Sequence, residues 1–318
     1  MTASLPLYVL RRLAWTVPTL LVVGLLVFVL MRLVPGDPAL LILGDSATPE
    51  QLARMRAEYG LDRPLPLQFV YWLGEVVRGD LGKSITSGEP VTQLLVDRFQ
   101  VSAAIVLVAV ALAVLLAVPA GLYAAWKQNS IADTVVVAIA TFFLSIPSFW
   151  LGLLLLLFVG LKLGLVPVVG YVPFSEDWRS AITFLVLPAL TLMLIELGVL
   201  TRMARASAVD VLRLEYVTHA RAKGLSERRV LLRHVLPNAM APTWTLVGLV
   251  LGNLLGGIAV LETVFTLPGL GRLLVDGIFA RDYPVVQGCL LFTAAIYVLV
   301  NLVVDLCYPL FDPRIAAA

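Results

Sequence analysis

The sequence predicts an all-α polytopic membrane protein with six transmembrane helices, a basic helical loop on one side and a small helical cap on the other. Three observations predict it. Hydrophobic residues make up 60% of the 318-residue chain and charged residues only 14%, against roughly one quarter charged in a soluble domain, so lipid must cover most of the surface. Six stretches have the length, about 20 apolar residues, that crosses roughly 30 Å of hydrocarbon as a helix. One long loop between them is strongly basic. The net charge of +2 is too small, and too clustered by topology, to recommend nucleic acid as a partner. Cys289 and Cys307 sit near one apolar stretch without a CxxC or Cys/His cluster, so they read as packing residues rather than as a metal or redox site.

The first span, Leu13 to Met31, lies between Arg12 and Arg32. It is longer than the apolar core of a signal peptide and lacks a small-residue cleavage site, and so reads as a retained anchor. Residues 1–34 form the tail and this helix. Residues 35–100 follow as an extracytoplasmic segment. Within it Thr48-Pro49-Glu50, then Leu52, Met55 and Tyr59, then Gly60, predict a short helix with a Thr cap, a proline in the first turn and a glycine stop. A second cap helix is predicted over 67–77.

The core, 101–310, holds the remaining spans: Val101 to Ala125, Thr134 to Leu161, Ile182 to Leu200, Met240 to Val264 and Val285 to Leu310. Residues 311–318 are a short tail. Translocating Lys and Arg is disfavoured. With both termini cytoplasmic, the inner side collects Arg11, Arg12, Lys127, Arg314 and the loop residues Arg202, Arg205, Arg213, Arg221, Lys223, Arg228, Arg229 and Arg233.

That loop, 203–238, carries the strongest local signal. Val209, Leu212, Tyr216 and Ala220 recur at steps of three and four, which predicts that the fourth span continues as an amphipathic helix beyond the membrane. Gly224 can close it in the left-handed conformation, Ser226 can cap a second helix, and Pro237 opens the next span. Two readings stay open on periodicity alone: a rigid helix-turn-helix knob, or a solvated basic loop that only sets topology.

Gly82-Lys83-Ser84 ends like a P-loop, but Val77 stands where the first glycine of GxxxxGK[ST] belongs and no strand precedes it. No other nucleotide motif is present, so an energy source must lie on another chain. His219 and His234 are too far apart to form a metal pair, and no Ser/His/Asp set suggests catalysis. The chain is therefore expected to be non-catalytic.

Thr218, Ala220, Gly224, Leu236 and Pro237 have the spacing of the EAA loop, and the loop resembles that of ABC importer permeases. The usual glutamate and first alanine are replaced by Thr218 and His219, as in the dipeptide and oligopeptide branch, which the wording Glu215-Tyr216-Val217-Thr218-His219-Ala220-Arg221-Ala222-Lys223-Gly224-Leu225 also resembles. Further stretches support the resemblance along nearly the whole chain. They are Arg11-Arg12 with Pro18, Pro35-Gly36-Asp37-Pro38, Gly79 to Ser84, Leu267 to Gly271 with Arg281 to Pro284, and Asp312-Pro313-Arg314. The extended first span with its outer segment is similar to the first of the two unlike permeases of such systems.

The resemblance implies a cytoplasmic coupling-helix loop, with Glu215, Tyr216, Thr218, His219, Ala220, Arg221, Ala222, Lys223, Gly224 and Leu225 docking an ATPase. It also implies a second homologous permease, two ATP-binding subunits, an extracytoplasmic substrate-binding protein, and ATP and Mg held on partner subunits, with no cofactor on this chain. Di- and oligopeptides are the leading cargo; nickel chelates, glutathione and other small solutes are alternatives. The expected place is the cell membrane.

Polar residues inside spans are expensive and mark functional or packing positions. Glu196, Asn253, Asn301 and Asp305 are the set singled out. Glu196 reads as a pathway residue able to attract a peptide amino group, as an interhelical hydrogen-bonding group, or as a water-exposed position. Asn253 adjoins Gly248, Gly252 and Gly256, four apart on one face; this stripe reads as helix packing, at a permease interface or elsewhere, or as the lining of the route. A secondary transporter coupled through Glu196 is the rival of another class, and it predicts an internal inverted repeat that the sequence does not show.

Overall fold

In the computed structural model the described residues are 5–33, 38–43, 47–58, 60–173 and 175–311. Pro35, Gly36, Asp37, Tyr59, the terminal Asp312-Pro313-Arg314 motif and the tail lie outside them, so the expectations placed there stand apart from the description. Among the described residues the fold is helical, with one isolated antiparallel bridge between Lys83 and Pro90. Helix α1 spans Leu5–Leu33 and α2 Pro38–Leu43. Helix α3, Pro49–Glu58, opens on a reciprocal cap: the Gln51 N–H donates to Thr48 Oγ1 (3.3 Å) and the Thr48 N–H donates to Gln51 Oε1 (2.9 Å). Gly60, at φ 63°, turns the chain away after it. Helix α4, Leu65–Val77, places Phe69 and Trp72 against Phe28 of α1, ring centroids 5.4 and 5.7 Å apart. The expected cap is thus a helical element pinned to the first span by aromatic contacts, each worth about 0.5–1.5 kcal/mol beyond area burial.

Helix α5, Val91–Trp126, begins well before the apolar stretch predicted from Val101. Helix α6 is Ile131–Ser145, and α7, Ser148–Leu155, continues through a π-helical turn, Leu156–Lys162. The predicted third span, Thr134 to Leu161, is therefore not one rod. It bends by 98° between its halves. Pro147 has no N–H to donate and its ring drives Ile146 into an extended conformation (φ −88°, ψ 129°). Five helices among the described residues are long and apolar enough to cross a membrane, and the bent pair, counted as one broken span, brings the number to six.

Helix α8 covers Trp178–Leu212, α9 Glu215–Ala222, and α10 Glu227–Val230 running into a π-helical turn, Leu231–Val235. The fourth span does not flow into the loop helix as the periodicity suggested. Leu214 is extended (ψ 143°) and starts α9 as a separate piece. Helix α11, Leu236–Gly257, stops at its glycine pair, short of the predicted Val264, and α12, Ala259–Val264, is a distinct short helix. Helices α13, Leu270–Phe279, and α14, Tyr283–Phe311, complete the chain.

The bundle is built around α5 and α8. Their approach needs glycine: a Cβ on Gly121 would lie 2.7 Å from the Thr201 carbonyl oxygen, and one on Gly198 would lie 2.4 Å from the carbonyl oxygen of Ala140 in α6. Three apolar cores stack along the bundle. A central core joins α5, α7, α8, α11 and α12. One end packs Val91, Leu95, Leu270, Val285 and Cys289; this is the cap end. The opposite end packs Leu122, Ala125, Ala208 and Val209 on Val217, Ala220, Val230 and Val235; this is the knob end.

Candidate functional site

The basic loop forms a folded knob. Val217 and Ala220 of α9 are buried and point into the knob-end core, where Val230, Leu231 and Val235 from the following turns meet the ends of α5 and α8. Gly224 takes φ 79°, the left-handed conformation the turn demands, with open space where a Cβ would sit. The Arg221 guanidinium donates to Glu227 across that turn at 2.8 and 3.2 Å. The Tyr216 hydroxyl donates to the carbonyl of His234 at 3.4 Å. Partial burial pushes its phenol above the ordinary value.

Of the ten docking residues named from the sequence, Glu215, Tyr216, Thr218, His219, Arg221, Ala222, Lys223 and Gly224 are exposed together. Ala220 faces inward, and Leu225 is half-buried against the same core. These two root the knob while the others present its face. Arg205, counted among the loop's positive residues, is not on that face. Its guanidinium donates to both carboxylate oxygens of Asp133 (2.5 and 2.7 Å), and the Asn129 N–H also donates to that carboxylate. Asp133 is only 6% exposed, so this bidentate pair is a clasp between the start of α6 and α8.

Glu196 is 9% exposed in the middle of α8, and among the described residues no ion pair or hydrogen bond reaches its side chain. Asn253 lies elsewhere. It lines an open groove of about 670 Å³ between α1, α11 and α14, with Trp15, Thr19, Tyr297 and Asn301. The structure therefore does not bring Glu196 and Asn253 into one site. At the knob end of the same groove Arg12 pairs with Asp305 at 2.8 Å, which gives the in-span acid a partner. The glycine stripe packs inside this chain: Cβ atoms on Gly248, Gly252 and Gly256 would lie 2.3, 2.7 and 3.0 Å from Val304, Tyr297 and Thr293, all on α14.

The cap end holds two buried carboxylates that sequence reasoning passed over. Glu262 is 1% exposed; Ser102 of α5 donates its hydroxyl to Oε1 (2.5 Å) and the Arg272 N–H donates to Oε2 (2.8 Å). The signal is present, an acid inside the predicted Met240 to Val264 stretch followed closely by Leu267-Pro268-Gly269-Leu270-Gly271, but apolar length alone merges that stretch into one span. Asp282 is equally buried and accepts from the Ser84 hydroxyl (2.5 Å) and the Thr86 N–H (3.1 Å). The Gly82-Lys83-Ser84 stretch that imitates a P-loop thus ties the chain before α5 to the turn before α14.

Comparison with known proteins agrees with this geometry. Residues 117–317 match the family described as binding-protein-dependent transport system inner membrane component, and residues 6–106 match its N-terminal region. A putative peptide transport system permease protein of Brucella abortus is 42% identical over 307 residues, 96% of this chain and 98% of the relative. The dipeptide transport system permease protein DppB of Escherichia coli K12 is 40% identical, covering 97% of this chain and 98% of DppB. A probable peptide ABC transporter permease protein of Sinorhizobium fredii is 39% identical with the same two coverages. With one match over more than half the chain and relatives aligned end to end, this multi-pass protein belongs to the family of binding-protein-dependent transport system inner membrane components.

Proposed function

We propose that the chain is the first of two permeases in an ATP-driven importer of di- and oligopeptides, working by alternating access. The observation that carries the reading is the knob: an exposed helix, α9, rooted through Val217 and Ala220 in the core that joins α5 and α8. A helix anchored in this way passes a push on its exposed face to the spans instead of absorbing it in a loop. The proposed docking face is Glu215, Tyr216, Thr218, His219, Arg221, Ala222, Lys223 and Gly224, supported from behind by Ala220 and Leu225. Two ATP-binding subunits would engage this knob and its counterpart on a second homologous permease, and they would hold the ATP and Mg. The energetic requirement is modest, because ATP need only bind one conformation better than the other to shift the balance between them.

In this reading the knob end and both termini are cytoplasmic, and the cap end meets a substrate-binding protein at the cap helices and the Pro268 to Pro284 segment. Peptide cargo is supported by the names of the relatives above. Glu196, buried in α8 with no partner among the described residues, is the proposed pathway group that meets the amino terminus of a peptide, while Asn253 lines a separate groove.

The test is to tag the chain in its native host, extract it in mild detergent and identify what co-purifies, beside a Gly224→Trp variant. At φ 79° an indole both strains the turn and projects from the docking face. A second permease and ATP-binding subunits should be recovered, with the ATP-binding subunits lost from the variant. The captured binding protein would then be screened with dipeptides, nickel chelates and glutathione. A chain that purifies alone, unchanged by the variant, would refute the proposal.

A further inference from the structure

The segment between α11 and α14 folds back as a hairpin of α12 and α13, and a single side chain organises it. Glu262 of α12 reaches α5 through the Ser102 hydroxyl, and it reaches α13 through the Arg272 N–H. Ser102, itself fully buried, accepts in turn from the Leu270 N–H at 2.8 Å. One carboxylate and one hydroxyl therefore join three elements. The backbone is laid directly on this pair: a Cβ on Gly269 would lie 2.0 Å from Glu262 Oε1, and one on Gly271 would lie 2.7 Å from Ala259 Cα. No side chain other than hydrogen fits at either position. Phe265, at the end of α12, also packs on Gly152 of α7, beyond the bend of the third span.

Strain marks both turns of the hairpin. Thr266, between α12 and α13, and Arg281, between α13 and α14, hold φ of 53° and 54°, a conformation residues with a Cβ adopt only where surrounding contacts impose it. Contacts to α5 and α7 hold a strained connector across the cap end of the bundle. If α5 tilts relative to α13 when that end opens, the Ser102 contacts must lengthen.

We infer that Glu262 is a positioning residue for transport: through Ser102 it holds the α12–α13 hairpin over the cap end of the closed bundle, and so sets how much energy the partners must supply to open it. This rests on the importer reading. Without the clasp the bundle opens without its binding protein, and ATP turnover separates from transport.

The experiment uses the whole importer, purified with its native partners and reconstituted in liposomes, and measures ATP hydrolysis with and without the binding protein at equal amounts of assembled complex. Ser102→Ala removes from α5 the one hydroxyl that contacts Glu262 and Leu270, and leaves every residue of the hairpin itself unchanged. It is expected to raise basal hydrolysis at least threefold and to bring the stimulated-to-basal ratio close to one. Glu262→Ala should do the same; should it fail to assemble, Ser102→Ala decides. Glu262→Gln can still accept from the Arg272 N–H and donate to Ser102 Oγ, so it should keep at least half of the wild-type ratio. A Ser102→Ala complex with the wild-type ratio, or a Glu262→Gln complex as uncoupled as Ser102→Ala, overturns the inference. A wild-type complex that shows no stimulation sinks the importer reading instead, so the two failures are distinct.

Discussion

The Asp133–Arg205 clasp permits the sharpest quantitative test of how the knob end is held. Replacing Arg205 by Met keeps most of the side-chain volume and removes both donors to Asp133, leaving that carboxylate with the Asn129 N–H alone. Removing one partner of a buried ion pair costs about 3–5 kcal/mol. Here Arg205 is 26% exposed and one backbone donor survives, which brings the expected cost to about 2–3 kcal/mol. For a domain of roughly 150–250 residues one kcal/mol moves Tm by about 2–4 °C. In this chain of 318 residues, at about 2.1 cal/mol/K of unfolding entropy per residue, one kcal/mol moves Tm by only about 1.5 °C, so the loss should be about 3–5 °C in thermal unfolding of the purified complex in detergent. Arg205→Lys should recover only part of it, because an ammonium cannot form the two-pronged contact. Asp133→Asn combined with Arg205→Met should be more stable than the sum of the single changes, since neither charge is then left buried alone, with a coupling of about 1–2 kcal/mol. Shifts below about 1 °C, or strict additivity in the double variant, would show that the clasp is incidental.

Gly198→Ala places a Cβ against a backbone oxygen of α6, where overpacking at the upper end of the usual range, about 2–3 kcal/mol, outweighs a helix-propensity gain of about 1 kcal/mol; the complex should melt about 1–3 °C lower. Gly74→Ala, in α4 with nothing near the new Cβ, should be neutral or stabilising by about 0.5–1 kcal/mol, and equal losses at the two sites would contradict the packing argument. Glu196→Gln should slow uptake of unmodified peptides relative to N-acetylated ones by about tenfold, the equivalent of roughly 1.4 kcal/mol of transition-state discrimination; an unchanged ratio in a transport assay removes Glu196 from the pathway.

Legibility in the sequence followed the range of each interaction. The Thr48 cap, the Gly60 stop and the left-handed Gly224 were readable because a cap or a positive φ involves residues a few positions apart. Boundaries were readable only where a breaker stood alone. Pro147 bends the third span by 98°, yet proline is tolerated in other helices of this bundle: Pro18, Pro119 and Pro188 sit inside α1, α5 and α8. Which proline breaks its helix depends on what the neighbouring helices supply to the freed carbonyls. Leu214 separates α9 from the fourth span, and periodicity does not contain the contact that α9 then makes, Val217 and Ala220 in one core with Leu122 and Ala125 of α5.

By itself, the sequence determined the membrane character, the apolar stretches, the basic loop and its closing glycine, because hydrophobic length and local turn chemistry are properties of neighbouring residues. Tertiary structure alone decided what the scattered polar groups do. It placed Arg205 on Asp133 and not on the exposed face of α9, Gly248, Gly252 and Gly256 against α14, Ser84 on Asp282 and Glu262 on Ser102. Ser102 and Glu262 stand 160 positions apart. No periodicity links residues at that separation; only the folding of α5 beside the α12–α13 hairpin brings the hydroxyl within reach of the carboxylate.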